Sequence, residues 1–487
     1  MRTTLEIRSI IKVLGHLVLI EALMMLVPLI ICLIYDENDW KCFAWAIAAA
    51  SLAGGIVSLA TRQVNTTIHR REGFILTAII WVVFGIFGMI PFMTSDSPLS
   101  ATDAMFETIS GFTTTGASVI PDVEQQSHGI LFWRALTQWI GGLGIILFML
   151  AVIPEFNKSV GISMFNAEAT GITHDKLHPR IRQTALSLWG IYMIITVISS
   201  ILLWAGPMNL FDSVCQTFAA IATGGFSTHN QGISYWDSNY VMAVLSLVMF
   251  VAGLNFVLLY AIYRNGIRKL YDNDVAKTFS VIVLTSFLLL VFSAILRGDD
   301  FNIRNYLFNP LFHVISAITS TGFSINEAEG WGPFSLFLTI MLMLCGACAG
   351  STSGGIKVDR FIVMGKNLIN EVKKTVFPKR IYVVNLNGSF LQNSLVSRVS
   401  AFMTIYIFAV MTATAVITLF GYSFTDSIFM VSSCIGCNGL GFGATGVEGS
   451  YAFLPAVVKW LLVFMMLVGR LELFTFMVLL LPSFWKK

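Results

Sequence analysis

Four short stretches hold the groups in this chain best suited to chemistry: Thr113-Thr114-Thr115-Gly116-Ala117, Thr223-Gly224-Gly225-Phe226, Ser320-Thr321-Gly322-Phe323 and Cys437-Asn438-Gly439-Leu440. What they offer is oxygen. Backbone carbonyls replace the hydration shell of a potassium ion when the chain runs extended with its carbonyls turned to one axis, and Gly permits the dihedrals this requires. Thr and Ser add hydroxyl oxygens at little steric cost. No nucleophile paired with a base, phosphate loop or dinucleotide fingerprint accompanies them, so the chemistry on offer is ligation of a cation, not bond-making.

The glycines do not fall at random. Gly116, Gly225, Gly322 and Gly439 each lie thirteen residues after an acid or amide, respectively Asp103, Asp212, Asn309 and Asp426. Each of these opens an apolar run of helical spacing, and a fixed offset recurring through a chain signals copies of one structural unit. Asp and Asn are preferred N-caps, and Pro310 suits the first helical position, so all four are expected to cap a short helix. The runs 104–112, 213–221, 310–318 and 427–435 would make helices of roughly 14 Å, half a bilayer. Their C-terminal carbonyls, carrying about half a negative charge, would converge on one place and favour a cation. A single Gly after an apolar helix is commonly only a C-cap; the shared offset is what favours a pathway.

Composition sets the solvent around these units. The 487 residues are 56% hydrophobic and 12% charged, about half the ~25% charged content of soluble domains, which marks an integral membrane protein in contact with lipid. A net charge of +3 gives no reason to expect nucleic acid as a partner. Spans of roughly 20 apolar residues cross a bilayer as helices, and ten are expected near 13–34, 42–61, 73–94, 131–153, 183–205, 239–263, 278–296, 334–364, 399–420 and 455–484. The first, preceded by Arg2, Arg8 and Lys12 and lacking a small-residue cleavage site, is expected to remain as an anchor. Lys and Arg crowd alternate connections (Arg62 to Arg71, Lys158 to Arg182, Arg264 to Lys277, Lys357 to Arg398), whereas three of the four long intervening ones have none and the fourth only Arg304 and, at its edge, Arg297. By the positive-inside rule both termini are cytoplasmic, and every short helix dips in from outside.

Two further features lie below that level. Between Leu344 and Lys357 the apolar pattern yields to Cys345-Gly346-Ala347-Cys348-Ala349-Gly350-Ser351-Thr352-Ser353-Gly354-Gly355; Gly costs about 1 kcal/mol relative to Ala inside a helix, so the eighth span is expected to be broken. Arg470 stands in the apolar run from Trp460 to Leu481, and an intramembrane charge faces a cavity or a partner. Glu472 is two residues on, about 200° around a helix, and so does not share its face. Asn255 and Gln138 are mid-span polar groups suited to bonding across helices. Cys345-x-x-Cys348 and Cys434-x-x-Cys437 raise the alternative of a membrane-bound redox or metal enzyme. Both pairs lie in apolar segments with no His at ligand spacing.

The four Gly-bearing stretches with their span–short helix–span setting resemble the TrkH/TrkG/KtrB family of bacterial potassium uptake proteins over nearly the whole chain. The resemblance implies an all-α polytopic membrane protein of the bacterial cytoplasmic membrane, with four pseudo-symmetric span–pore helix–span repeats around one pore: 73–180, 181–275, 276–397 and 398–487. Two additional N-terminal helices in 1–72 are similar to the Trk branch. It implies a single selectivity filter built from Thr114, Thr115, Gly116, Thr223, Gly224, Gly225, Ser320, Thr321, Gly322, Cys437, Asn438 and Gly439, with potassium as the transported ion and no organic cofactor. It also implies a gate below the filter, formed by the stretch Gly350, Ser351, Thr352, Ser353, Gly354 and Gly355 with Lys357 and Arg470. A homodimer carrying a cytosolic, nucleotide-binding regulatory subunit of TrkA type is the implied assembly. Proton- or sodium-coupled symport stands as the alternative to channel-like conduction. Gly224, Cys437 and Asn438 depart from the Thr-Thr-Gly pattern, so the second and fourth loops are expected to coordinate less regularly.

Overall fold

The computed structural model of the chain describes residues 6–64, 70–142, 144, 181–298, 302–325, 330–446, 449–471 and 473–485. The expectations for 145–153, the basic connection 158–180 and Glu472 lie outside these residues.

Among the described residues the protein is helical apart from a two-residue hairpin, Asn385–Leu386 with Ser389–Phe390. In chain order the helices are α1 (Ile7–Met24), α2 (Leu26–Ile34), α3 (Trp40–Ala60), α4 (Arg70–Gly88), α5 (Ile90–Thr94), α6 (Ala101–Phe112), α7 (His128–Gly142), α8 (Ile181–Trp204), α9 (Leu210–Ile221), α10 (Asn239–Ala252), α11 (Phe256–Asn265), α12 (Arg268–Asp272), α13 (Asp274–Arg297), α14 (Asn309–Ile318), α15 (Pro333–Cys345), α16 (Val358–Val376), α17 (Asn393–Thr418), α18 (Phe424–Ile435), α19 (Ala456–Arg470), α20 (Leu473–Leu480) and α21 (Pro482–Trp485). The breaks after α1 and α4 fall just before Pro28 and Pro91, whose rings leave no N–H for the helix and crowd the carbonyl four residues back.

Among the described residues six segments are long and apolar enough to cross a membrane: Ile7–Ile34, Trp40–Ala60, Arg71–Thr94, Thr184–Trp204, Asp274–Arg297 and Asn393–Thr418. The chain is a multi-pass membrane protein. Two of the expected spans are not straight. The span at 239–263 bends by 98° between α10 and α11, and the one at 455–484 bends by 109° between α19 and α20. Asn255 explains the first bend, because its Oδ1 accepts from Val257 N at 2.7 Å and Leu258 N at 3.2 Å and so starts a new helix. The span at 334–364 is interrupted, as α15 stops at Cys345 and α16 begins only at Val358.

The four short helices α6, α9, α14 and α18 form the buried centre. From Ala104 to Phe112 every residue of α6 is buried, and in α14 every residue but Leu311 is. Amphipathic exteriors are not required of such helices, since other helices surround them.

Candidate functional site

The entrance to each short helix corrects the capping expectation. Asp103, Asp212 and Asp426 are not the caps. The cap lies three residues earlier: Ser100 Oγ accepts from Asp103 N at 3.2 Å, Asn209 Oδ1 from Asp212 N at 2.7 Å, and Ser423 Oγ from Asp426 N at 3.1 Å. Each cap also donates back to the carboxylate, at 2.7, 2.9 and 2.7 Å. The acids are thus the inner halves of reciprocal caps, which is why three of these helices run 12 residues instead of nine. Asn309 caps nothing either; a π-helical turn, Arg304–Phe308, leads directly into α14, and the Asn309 side chain is buried with neither polar atom hydrogen-bonded. A fixed acid-to-Gly offset shows where a helix starts to within a turn, but the cap is chosen by which oxygen reaches the free N–H groups.

The exits are alike in all four. The residue before the ring glycine donates its N–H to the carbonyl five positions back: Thr115 to Ser110 at 2.8 Å, Gly224 to Ala219 at 2.8 Å, Thr321 to Ser316 at 3.0 Å and Asn438 to Ser433 at 2.8 Å. This is the hydrogen bond of a Schellman ending, which requires a left-handed residue just before it. Thr114, Thr223, Ser320 and Cys437 occupy that place with φ of 56°, 53°, 53° and 48°. Such a conformation costs a residue other than Gly about 1–3 kcal/mol and persists only where surroundings impose it. The glycines follow at φ of 81°, 76°, 82° and 76°. The residue between the two in each loop has no positive φ, so the sign of φ alternates along each loop. The fourth loop, despite Cys437 and Asn438, keeps the same backbone as the first, so the irregularity expected of it resides in its side chains.

The loops close on one another. A Cβ placed on Gly116 would lie 1.9 Å from Gly224 O, one on Gly225 2.1 Å from Thr321 O, one on Gly322 1.7 Å from Asn438 O, and one on Gly439 2.1 Å from Thr115 O. Each glycine faces the carbonyl of the next loop and the fourth returns to the first. No side chain fits at any of the four. Lys459 Nζ strengthens the closure by reaching Asp103 Oδ1 at 2.5 Å, tying α19 to α6.

On the side to which the loops return lies a cavity of about 100 Å³, lined by the four glycines together with Arg134 and Tyr451 among others. Arg134 and Glu107 were not foreseen. Both are buried, and Arg134 Nε meets Glu107 Oε1 at 2.7 Å. Glu107 Oε2 accepts from Val119 N at 2.9 Å, while Arg134 donates to Ser118 Oγ and Ser227 O, both at 3.1 Å, and its guanidinium lies 4.1 Å from the Phe226 ring centre. The pair therefore pins the outgoing strands of the first two loops. A Glu on a short helix and an Arg in an apolar stretch were the available signals. At the rim His229 contacts Glu124 Oε1 at 3.2 Å and Asp212 Oδ2 at 3.3 Å and stacks on Tyr235. Burial opposes its charge, but the hydrogen bonds and charges of Asp212 and Glu124 prevail and raise its pKa above the usual 6.5.

Across the ring lies the broken segment 346–357. Gly354 N donates to Ser320 Oγ at 2.5 Å, Thr223 Oγ1 to Thr352 Oγ1 at 3.3 Å, and Thr352 Oγ1 to Ile221 O at 3.1 Å. A Cβ on Gly354 would lie 2.0 Å from Gly436 O. Asn255 Nδ2 holds Ala349 O at 2.7 Å, and Phe256 N holds Gly350 O at 3.0 Å, so the bend of one span anchors the break in another. Ser351 hydroxyl joins Ser353 hydroxyl at 2.8 Å, Gly355 packs against Gly346, and Lys357 Nζ bonds to Ser353 O. Arg470 is the last residue of α19, at the bend, and does not stand inside a continuous span. It donates to Thr352 O at 2.8 Å and Gly142 O at 2.9 Å and also reaches Gly141 O. These residues border a second cavity of about 80 Å³ that includes Thr77, Trp81, Gly142, Ser353, Lys357 and Arg470. The seven cysteines are free thiols, Cys345 partly buried and the rest buried.

The chain matches the model of a family described as TrkH, cation transport protein, over residues 41–487. Among curated proteins it is 33% identical to the Trk system potassium uptake protein TrkH of Escherichia coli K12, over 99% of this chain and all of that protein. It is 32% identical to the TrkH of Halomonas elongata over 99% of this chain and all of the relative. Among solved structures, the crystal structure of the potassium transporter TrkH from Vibrio parahaemolyticus superposes with a TM-score of 0.90 at 28% identity, covering 99% of this chain and 100% of the other.

Proposed function

This chain belongs to the TrkH family of cation transport proteins, and on that premise we propose that it is the potassium-translocating membrane subunit of a Trk-type uptake system. The observation that carries this is the closed cycle in which each of Gly116, Gly225, Gly322 and Gly439 faces a carbonyl of the next loop. Four short helices bring their negative ends to that cycle, and the intervening dihedral alternation aims carbonyls at a common axis, the arrangement that replaces the water shell of a weakly hydrated monovalent cation.

In this proposal the chain comprises two N-terminal helices in 1–72 and four pore repeats at 73–180, 181–275, 276–397 and 398–487. It sits in the bacterial inner membrane with both termini cytoplasmic. The filter comprises Thr114 to Gly116, Thr223 to Gly225, Ser320 to Gly322 and Cys437 to Gly439. The segment Gly350–Gly355, with Lys357 and Arg470, is the gate. It supports this that the segment hydrogen-bonds directly to two filter residues, Thr223 and Ser320. A cation fixed at Arg470 raises the barrier to a potassium ion leaving the ring until it moves or is balanced. Conduction is channel-like and driven by the membrane potential, worth about 2.3 kcal/mol per charge at 100 mV, without a coupling ion. A homodimer receives a TrkA-type nucleotide-binding regulatory subunit on the basic stretch from Lys366 to Arg380.

Growth at limiting potassium tests the central claim. Expression of the chain in a strain lacking potassium uptake restores growth, and Gly116→Ser abolishes the rescue; rescue indifferent to substitution at all four glycines overturns the filter assignment. Reversal potentials in liposomes that follow potassium alone and ignore pH and sodium establish uncoupled conduction, whereas a shift with either ion establishes symport.

A further inference from the structure

Three of the four loops carry a side chain directly before the ring glycine, and the second does not. Thr115, Thr321 and Asn438 are fully buried. Their side chains are tied to helix ends: Thr115 Oγ1 to Thr113 Oγ1 at 2.8 Å, Thr321 Oγ1 to Thr319 Oγ1 at 2.8 Å, and Asn438 Nδ2 to Ala317 O at 2.7 Å. Gly224 occupies the matching position in the second loop, where φ is not positive and the backbone has no need of glycine.

The space is filled from elsewhere. A Cβ on Gly224 would lie 2.5 Å from Cδ of Gln138, 2.7 Å from its Oε1 and 2.8 Å from its Nε2. Gln138, on α7, is fully buried and uses both ends of its amide: Nε2 donates to Gly224 O at 2.7 Å and Oε1 accepts from Phe226 N at 3.2 Å. Chemistry fixes this orientation, because the Phe226 N–H can only donate and the Gly224 carbonyl can only accept. One side chain thus brackets Gly225 from behind, holding the carbonyl before it and the N–H after it.

The oxygen it holds is not a bystander. Gly224 O is the atom that faces Gly116 across the ring. Its three counterparts, Thr115 O, Thr321 O and Asn438 O, accept no hydrogen bond among the described residues. One tier of the ring therefore has three carbonyls whose ligand strength is undiminished and one that already receives a donor.

We propose that Gln138 is a specificity-determining positioning residue, which by hydrogen-bonding Gly224 O sets the ring against sodium. This rests on the proposed potassium pathway. Two physical effects act in the same direction. A carbonyl that accepts a hydrogen bond presents a weaker field to the ion, and weak fields disfavour the smaller, more strongly hydrated cation. A carbonyl held from behind also resists the inward shift needed to close around sodium. Whether selectivity follows ligand field or cavity size, the sign is the same.

The test is the bi-ionic reversal potential of the full-length protein in liposomes, with potassium on one side and sodium on the other. Gln138→Met keeps the length of the side chain and removes both hydrogen bonds. The double substitution Gln138→Ala with Gly224→Thr refills the space from within the loop, as in the first and third loops, and releases the carbonyl. In both, the permeability ratio of potassium to sodium is expected to fall roughly three- to tenfold, the range one net hydrogen bond supplies, while the rubidium-to-potassium ratio moves little. An unchanged ratio in either folded, monodisperse variant, with or without reduced flux, assigns Gln138 to packing alone and overturns the inference. A wild-type protein with no preference for potassium overturns the filter itself, which the wild-type arm reads separately.

Discussion

The ring of four loops and the broken segment beneath it are both irregular backbone at the centre of a membrane protein, yet they are held in opposite ways. The ring repeats one device: the same Schellman hydrogen bond, the same left-handed residue and the same glycine against the next carbonyl. The segment 346–357 repeats nothing. It is held by unlike contacts from several parts of the chain: Asn255 to Ala349, Phe256 to Gly350, Ser320 to Gly354, and Thr223 and Arg470 to Thr352. A ring whose members each constrain the next cannot move one member alone. A segment held by unlike tethers lacks that mutual constraint, and the contrast is what the proposed filter and the proposed gate would each require.

Breaking the ring has the largest expected effect. Gly322→Ala places a methyl 1.7 Å from Asn438 O at a φ of 82°, and uptake should fall to background in rubidium or potassium flux assays. Retained uptake would show that the cycle yields locally and would erase the contrast. Next comes the brace beside it. Arg134→Gln leaves Glu107 buried without its ion pair, at a cost of about 3–5 kcal/mol, and thermal unfolding in detergent should shift down clearly. Glu107→Gln should cost less, since a neutral amide leaves no buried charge of its own; equal loss in the two would point to packing instead of charge.

Loosening the tethered segment should act in the other direction. Arg470→Ala removes the bonds to Thr352, Gly141 and Gly142, and flux should rise roughly tenfold, equivalent to about 1.4 kcal/mol off the barrier. Unchanged or lower flux in well-folded protein counts against Arg470 as a barrier. The smallest effect belongs to the rim. His229 has a raised pKa, so its contribution is complete below about pH 6.5 and is lost as pH climbs through the folded-state value. Protection of 226–236 against hydrogen exchange, taken relative to the intrinsic rate at each pH, should accordingly be higher at acidic than at alkaline pH, and His229→Gln should remove the difference.

What was legible beforehand follows the range of the interactions. Gly116, Gly225, Gly322 and Gly439 announce themselves because a positive φ is a local demand that glycine meets, whereas Thr114, Thr223, Ser320 and Cys437, which take the left-handed position at the helix ends, are residue types that give no such signal. The caps were legible only to within three residues, since Ser100 and Asp103 both suit a helix start and only geometry shows which side chain accepts from the free N–H. Arg470 was visible as a charge among apolar residues, but the bend that places it at a helix end was not, because Leu473 to Leu480 would serve equally well as a straight continuation. Glu107 and Arg134, 27 residues apart, gave no sign of belonging together.

Sequence alone determined the membrane setting, the four ring glycines and the interruption after Leu344, because hydropathy and glycine's conformational freedom act within a few residues. The tertiary structure decided the rest: that each glycine guards a neighbour's carbonyl, that Asn255 bends one span to hold another's break, and that Gln138 stands in for a side chain Gly224 lacks. These are contacts between segments far apart in the chain, and no residue type or local spacing specifies which distant group will occupy the space it leaves.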